Sequence, residues 1–218
     1  MNLFKCLRPM LCLVLFSLCF HLVAQKDCEF QMQKDGIKVY TCKRPNSNLN
    51  AVQAYFEVEA TLEQYASLVL NVEDYKYWNF ATTNPKVLEK INEEELIYYT
   101  EVSAPWPVTD RFVVLHLTVR EDPESNHLFV LLRNVPEKLP SKEGFVRVQE
   151  YNSILEITPL SAGKLKVDFY LEVDPGGAIP AWAINLISTK FPITTFSNLK
   201  KRLAQLRQNE VIGEKLFR

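Results

Sequence analysis

The 218-residue chain predicts an α+β fold, a curved antiparallel sheet wrapped around a C-terminal helix, and three stretches carry that reading. KLKVDFYLEVD alternates without a fault, with Leu165, Val167, Phe169, Leu171 and Val173 on one parity and Lys164, Lys166, Asp168, Tyr170 and Glu172 on the other. FVVLHLTV repeats the pattern, setting Val113, Leu115, Leu117 and Val119 against His116 and Thr118. From Ile179 the period becomes helical through Trp182, Ala183, Leu186 and Ile187, and then through Phe196, Leu199, Leu203 and Leu206. Runs of strands followed by helices argue against alternating α/β units, and strict alternation describes a sheet with one dry and one wet face.

Composition fits an ordinary folded domain, with 47% hydrophobic and 23% charged residues. The balance of 25 Lys and Arg against 26 Asp and Glu, with no basic stripe interleaved with aromatics, argues against a nucleic-acid partner. Residues 1–25 carry Lys5 and Arg8, then an apolar run from Met10 to Phe20, then a polar-tending end, the plan of a secretory signal peptide. The apolar run is short for a bilayer span, which needs about 20 residues, so cleavage is favoured over an uncleaved anchor. Leu11 and Leu18 precede Cys12 and Cys19 where a lipoprotein signal would have a small residue. The expected organisation is a signal peptide over 1–25 and one domain over 26–218, exported to a periplasmic or extracellular location.

Two cysteines then remain, Cys28 and Cys42, flanking EFQMQKDGIKVYT. A three-residue hairpin loop at Lys34-Asp35-Gly36 pairs Gln33 with Ile37, Gln31 with Val39 and Glu29 with Thr41, setting Cys28 opposite Cys42 within reach of a disulfide. A two-residue loop would shift the register by one and leave two separate thiols. AVQAYFEVEA reads as a third strand, and Thr61 with Gln64 forms a capping box opening a helix at Leu62 that continues after a break into EDYKYWNF. VLEKINEEELIYYTEVSA holds two strands with a turn near Asn92; HLFVLLRNV is a further strand, EKLPSKEG a loop, and FVRVQEYNSILEITP one strand disturbed midway. After the DPGG turn one long helix starts near Pro180, and Pro192 bends or breaks it near Phe191.

Arg111 ends PWPVTDR and shares the dry parity of Val113 to Val119. A guanidinium stays protonated, so in that position it needs an acid, water or the polar end of a ligand. Glu101 on the preceding strand is the candidate acid. His116 on the wet parity and His127 in a polar turn do not form a catalytic set, and no metal-ligand spacing, nucleophile elbow or phosphate-binding glycine loop occurs.

PWPVTDR at a strand end, DPGGAIPAWAIN opening the final helix, and Tyr77-Trp78 on the second helix, in this order of elements, resemble the START domain, the steroidogenic-acute-regulatory-related lipid-transfer family. The resemblance spans roughly Phe30 to Leu206. It implies a helix-grip fold whose sheet and helices enclose a hydrophobic cavity for one lipid or other hydrophobic small molecule, closed by the C-terminal helix. It also implies a monomeric carrier with transient membrane contact and no cofactor or metal. Arg111 matches the arginine of the family's loop motif, but here Phe112 follows it and the acid, Asp110, precedes it. The ligand-binding set so implied is Glu101, Trp106, Arg111, Leu115, Leu117, Phe169, Leu171, Trp182, Ala183 and Leu186. Apolar faces of this kind equally well fill into a solid core, and Trp106 equally well anchors a loop. The alternative reading is a cyclase or aromatase of the wider helix-grip superfamily acting on a polyketide-like substrate, with Arg111, Glu101 and Tyr99 as its acid-base groups.

Overall fold

The computed structural model describes residues 27–45, 47–161 and 163–216, with side chains as far as residue 208. The predicted signal peptide lies outside the described residues. Ten strands form one sheet: β1 (Cys28–Lys34), β2 (Ile37–Cys42), β3 (Ala51–Val58), β4 (Thr82–Asn92), β5 (Glu95–Val102), β6 (Arg111–Asp122), β7 (His127–Asn134), β8 (Val146–Arg147), β9 (Glu150–Ser161) and β10 (Lys164–Asp174). Their order is β1-β2-β3-β10-β9-β7-β6-β5-β4, antiparallel throughout, with β8 attached to β6 as a short parallel pair. The helices are α1 (Leu62–Leu70), α2 (Tyr75–Trp78), α3 (Ala181–Asn185) and α4 (Phe191–Leu216).

The first hairpin reaches the expected register by a different route. Its loop has two residues, Asp35 and Gly36, both with positive φ (53° and 75°), as a type I′ turn demands. Lys34 therefore pairs with Ile37, a register one residue off the predicted one. A bulge at Gln31 absorbs the difference, so that Glu29 still faces Thr41 and Cys28 faces Cys42, and the two sulfurs are bonded.

Thr61 caps α1 as predicted: its hydroxyl accepts from the Gln64 N–H at 3.1 Å, and the Gln64 side chain accepts from the Thr61 N–H at 3.0 Å. A 3-10 turn at Val72–Asp74 then leads into α2. One segment departs from expectation and another follows it. The run FVRVQEYNSILEITP is two strands, because the chain leaves β6 after Arg147 and restarts as β9 at Glu150. The final helix is divided near Phe191 as expected, since Pro192 has no N–H to donate and its ring excludes the carbonyl of Ser188. A π-helical turn, Leu186–Lys190, absorbs this misfit between α3 and α4.

Helix α4 lies in the concave face of the sheet and buries Ile193, Phe196, Leu199 and Leu203, which share one helical face. Phe196 packs on Phe56 and Phe169, with ring centroids 4.6 and 5.0 Å apart. Arg202 grips Asp74 through both carboxylate oxygens at 2.6 and 2.7 Å, tying α4 to the 3-10 turn. The convex face is not uniformly wet: Ile97, Tyr99, Phe112 and Val114 form a second cluster beneath Val135, Leu139 and Phe145.

The Cys28–Cys42 bond closes a loop of 14 residues in sequence and ties down the edge strand β1. Cross-linking a loop of this size restricts the unfolded chain, and the Cys28→Ser/Cys42→Ser variant is expected to lose about 3 kcal/mol. Urea unfolding of wild type and variant measures this; a loss below about 0.5 kcal/mol would contradict it.

Candidate functional site

The interior of the sheet has a filled half and a hollow half. Beyond Leu115 toward the far end of β6, Leu117 and Phe169 meet Phe196 and the other α4 residues in a solid core. On the near side lies a pocket of about 150 Å³. Its floor is built by inward residues of neighbouring strands: Tyr98, Thr100 and Val102 from β5; Arg111, Val113 and Leu115 from β6; Tyr151 from β9; and Leu171 and Val173 from β10. Its roof comes from the turn at Asn79–Ala81, the loop Ser103–Asp110, and the segment from Ile179 to Phe191.

Arg111 sits in this wall with 6% of its surface exposed. Register explains its direction: Arg111 faces Val102 across the β5–β6 ladder, whereas Glu101 faces Phe112 on the opposite side of the sheet. Glu101 is therefore not the partner of Arg111. On the convex face it bonds Lys142 and accepts from the Tyr99 hydroxyl at 2.6 Å and the Asn84 amide at 3.1 Å. Burial would raise the Glu101 pKa, but these donors outweigh it and hold the carboxyl below its usual range. Arg111, Glu101 and Tyr99 thus do not converge.

The guanidinium is held by backbone oxygens instead, Nη1 donating to Thr109 and Nη2 to Gly176 at 3.4 Å. Its Nε has no partner among the described residues. Asp110, the adjacent acid, is engaged in closing its own loop, where its Oδ1 accepts from the Ala104 N–H at 2.8 Å. Burial lowers the Arg111 pKa, and the nearby charge of Asp110 opposes this only in part. Such a group is a cation held in a largely apolar wall with donor capacity to spare.

Of the other predicted site residues, Leu115, Leu171, Ala183 and Leu186 line the pocket with Arg111. Leu117 and Phe169 do not, because α4 fills their half of the sheet. Trp106 is 91% exposed at the loop tip and Trp182 is 42% exposed on the outer side of α3, so neither forms the wall. Parity along β5 could have found Tyr98, Thr100 and Val102, since they are the inward partners of Leu115, Val113 and Arg111. Val148 and Tyr151 were hidden by the break between β8 and β9.

Both sequence motifs meet at this site. The loop of PWPVTDR roofs the pocket, and the DPGG turn supplies the Gly176 carbonyl while passing over β8. Gly176 has φ 69°, and a Cβ there would lie 2.6 Å from the Arg147 carbonyl oxygen. Asp174 fixes the turn by accepting from the Gly176 N–H at 2.9 Å.

A curved sheet gripping a C-terminal helix, with a pocket between them that holds one buried cation, defines the class of small cavity-bearing binding domains. The START domain model matches residues 26–209, and the chain belongs to this family. It is 26% identical to an uncharacterized protein of Pseudomonas aeruginosa over 80% of this chain and 86% of that one. It is likewise 26% identical to the phosphatidylcholine transfer protein of Rattus norvegicus, over 73% and 75% of the two chains. Among solved structures, the STAR-related lipid transfer protein from Xanthomonas axonopodis superposes with a TM-score of 0.74 at 25% identity, covering 82% of this chain and 99% of that fragment. The human StAR-related lipid transfer protein 5 shares the fold, with a TM-score of 0.68 at 19% identity over 91% and 94% of the chains.

Gly176→Ala is expected to destabilise the fold by clearly more than Gly163→Ala. Both glycines have positive φ, but nothing lies within 4 Å of a Cβ at Gly163. The control should cost about 1 kcal/mol and Gly176→Ala at least twice that. Equal losses in denaturant titrations would show that the approach to Arg147 does not constrain the turn.

Proposed function

We propose that the protein is a carrier that takes one lipid into the pocket roofed by α3 and the Ser103–Asp110 loop, holds its polar end at Arg111, and exchanges it at membrane surfaces. The observation that carries this reading is Arg111, buried in the pocket wall, forming no ion pair with a carboxylate among the described residues, with Nε unpaired and Asp110 only partly offsetting its burial. A buried cation without an ion-pair partner is costly to desolvate, backbone carbonyls and Asp110 offset only part of that cost here, and a phosphate or carboxylate brought by a ligand offsets more of it. The names of the relatives, lipid and phosphatidylcholine transfer proteins, support a lipid ligand.

At about 150 Å³ the pocket has the volume of a cavity that takes up benzene, so a lipid enters only when the roof moves. Two features support movement at α3. The π-helical turn gives the segment a built-in irregularity, and a second hollow of about 250 Å³ lies behind it, bounded by Asn48, Ile184 and Ser188. Trp106, exposed at the loop tip between two prolines, and Trp182 on α3 are suited to the membrane interface, where an indole sits with one end apolar and one end wet. Export after cleavage of residues 1–25 belongs to the same proposal and is supported by the Cys28–Cys42 bond, which persists in oxidising compartments. A carrier is favoured over an enzyme because His116 and His127 are engaged with Glu95 and Glu156 at 2.7 and 2.8 Å and neither lines the pocket.

Binding of a panel of fluorescent lipids and sterols to wild type and Arg111→Leu tests the anchor, with circular dichroism as the folding control. The variant should stay folded and lose tenfold or more in affinity for lipids with an anionic group, and little for uncharged ones. Failure of the folded wild type to bind any lipid would refute the carrier. Trp106→Ala should slow transfer between vesicles while leaving affinity for detergent-dispersed lipid unchanged; unaltered transfer would remove the loop from membrane contact.

A further inference from the structure

Arg111 is not the only polar group aimed into the pocket. Tyr98 and Tyr151 also line it, and Tyr98 is 2% exposed. A buried tyrosine hydroxyl ordinarily finds a hydrogen-bond partner. The neighbouring Tyr75 does so, donating to the Val69 carbonyl. Neither the Tyr98 nor the Tyr151 hydroxyl makes a hydrogen bond among the described residues. Both phenols are pushed well above their ordinary range by burial, and at Tyr98 the proximity of Tyr75 and Tyr151 adds to this, so both remain neutral donors at physiological pH.

The strand register gives the spacing of their backbone positions from that of Arg111. Tyr98 faces Leu115 across the β5–β6 ladder, while Arg111 faces Val102. Arg111 and Leu115 are four residues apart on one extended strand, a span of about 13 Å. Tyr151 stands at the level of Leu115 as well, because its N–H donates to the side chain of Asn134, which faces Leu115 across the β6–β7 ladder. Between the two ends the wall is largely apolar, with Val113, Leu171 and Val173.

We infer that the pocket is built for an elongated lipid with two polar ends, an acidic group at Arg111 and a hydroxyl or carbonyl oxygen at Tyr98 and Tyr151, whose backbone positions lie about 13 Å further along the strands. This rests on the carrier reading and narrows its ligand class. A single slender body with a polar group at each end satisfies both sets of donors, whereas an unsubstituted acyl chain reaching the same depth would shut two pocket-lining hydroxyls off from water without a partner.

The test compares 12-hydroxystearic acid, stearic acid and methyl 12-hydroxystearate by calorimetric titration. The hydroxy acid presents both polar groups, separated by a comparable span when extended, and each of the others lacks one. Wild type should bind the hydroxy acid about fivefold or more tighter than either. Tyr98→Phe/Tyr151→Phe, which removes two oxygens and no bulk, should erase the preference over stearic acid, in part by tightening the binding of stearic acid, whose chain no longer leaves two hydroxyls unpaired. Arg111→Leu should erase the preference over the ester. Equal wild-type affinity for hydroxylated and plain acids, or a preference that survives in the double Phe variant, overturns the inference. If phosphatidylcholine binds and none of the three probes does, the inference falls and the carrier reading stands. If no lipid binds at all, both fall.

Discussion

The pocket depends on one consequence of strand geometry. Side chains alternate strictly across a sheet, so Arg111 cannot share a ladder position with Val102 and the parity of Val113 and Leu115 without pointing into the concave side. Its charge does not titrate away in the accessible pH range. The surroundings must therefore satisfy a cation in an apolar wall, and they do so with backbone carbonyls from two different segments, at Thr109 and Gly176. Carbonyl dipoles offset part of the desolvation without neutralising the charge, which leaves the site receptive to an anion.

The segments around Arg111 follow from that arrangement. Asp110 is spent on the Ala104 N–H, which shapes the loop that brings the Thr109 carbonyl over the guanidinium. Gly176 brings its own carbonyl close enough only because it lacks a Cβ, which would collide with β8. Strand β8 in turn is held against β6 by Arg147, whose guanidinium donates to the carbonyls of Pro136 and Leu139 at 2.7 Å each and stacks on Phe112. The convex-face cluster thus braces the strand end from outside while the pocket opens inside. On the other flank, Thr195 of α4 accepts from the Phe80 N–H at 3.0 Å, so the turn at the pocket rim is fixed to the same helix that fills the other half of the sheet.

Much of this was legible in the sequence wherever a local rule decides the outcome. Alternation gave β6 and β10 and the inward side of Arg111, Thr61 and Gln64 marked the start of α1, and Pro192 marked the division of the last helix. Misreadings arose where two local features compensate or where distance in sequence is large. The Gln31 bulge cancels the shorter hairpin loop, so Cys28 and Cys42 face each other although Lys34, and not Gln33, pairs with Ile37. Glu101, the candidate acid for Arg111, has the opposite parity, which sends it to Lys142, a contact with a loop 41 residues away. Leu117 and Phe169 share the inward parity of Leu115 and Leu171, and no strand pattern shows how far along the sheet Phe196 of α4 reaches. Trp106 and Trp182 are exposed because loop and helix ends turn them outward, which periodicity does not record.

The central claim is that a lipid occupies the hollow half of the sheet beside Arg111. Photo-crosslinking with a lipid carrying a diazirine in its apolar portion, followed by peptide mass mapping, tests it directly. The account predicts label on β6 and β10 near Val113, Leu115 and Leu171 and on α3 near Ala183, all suppressed by excess unlabelled lipid. Label confined to exposed surface residues such as Trp106 and Tyr77, with the pocket residues unmodified, would contradict it.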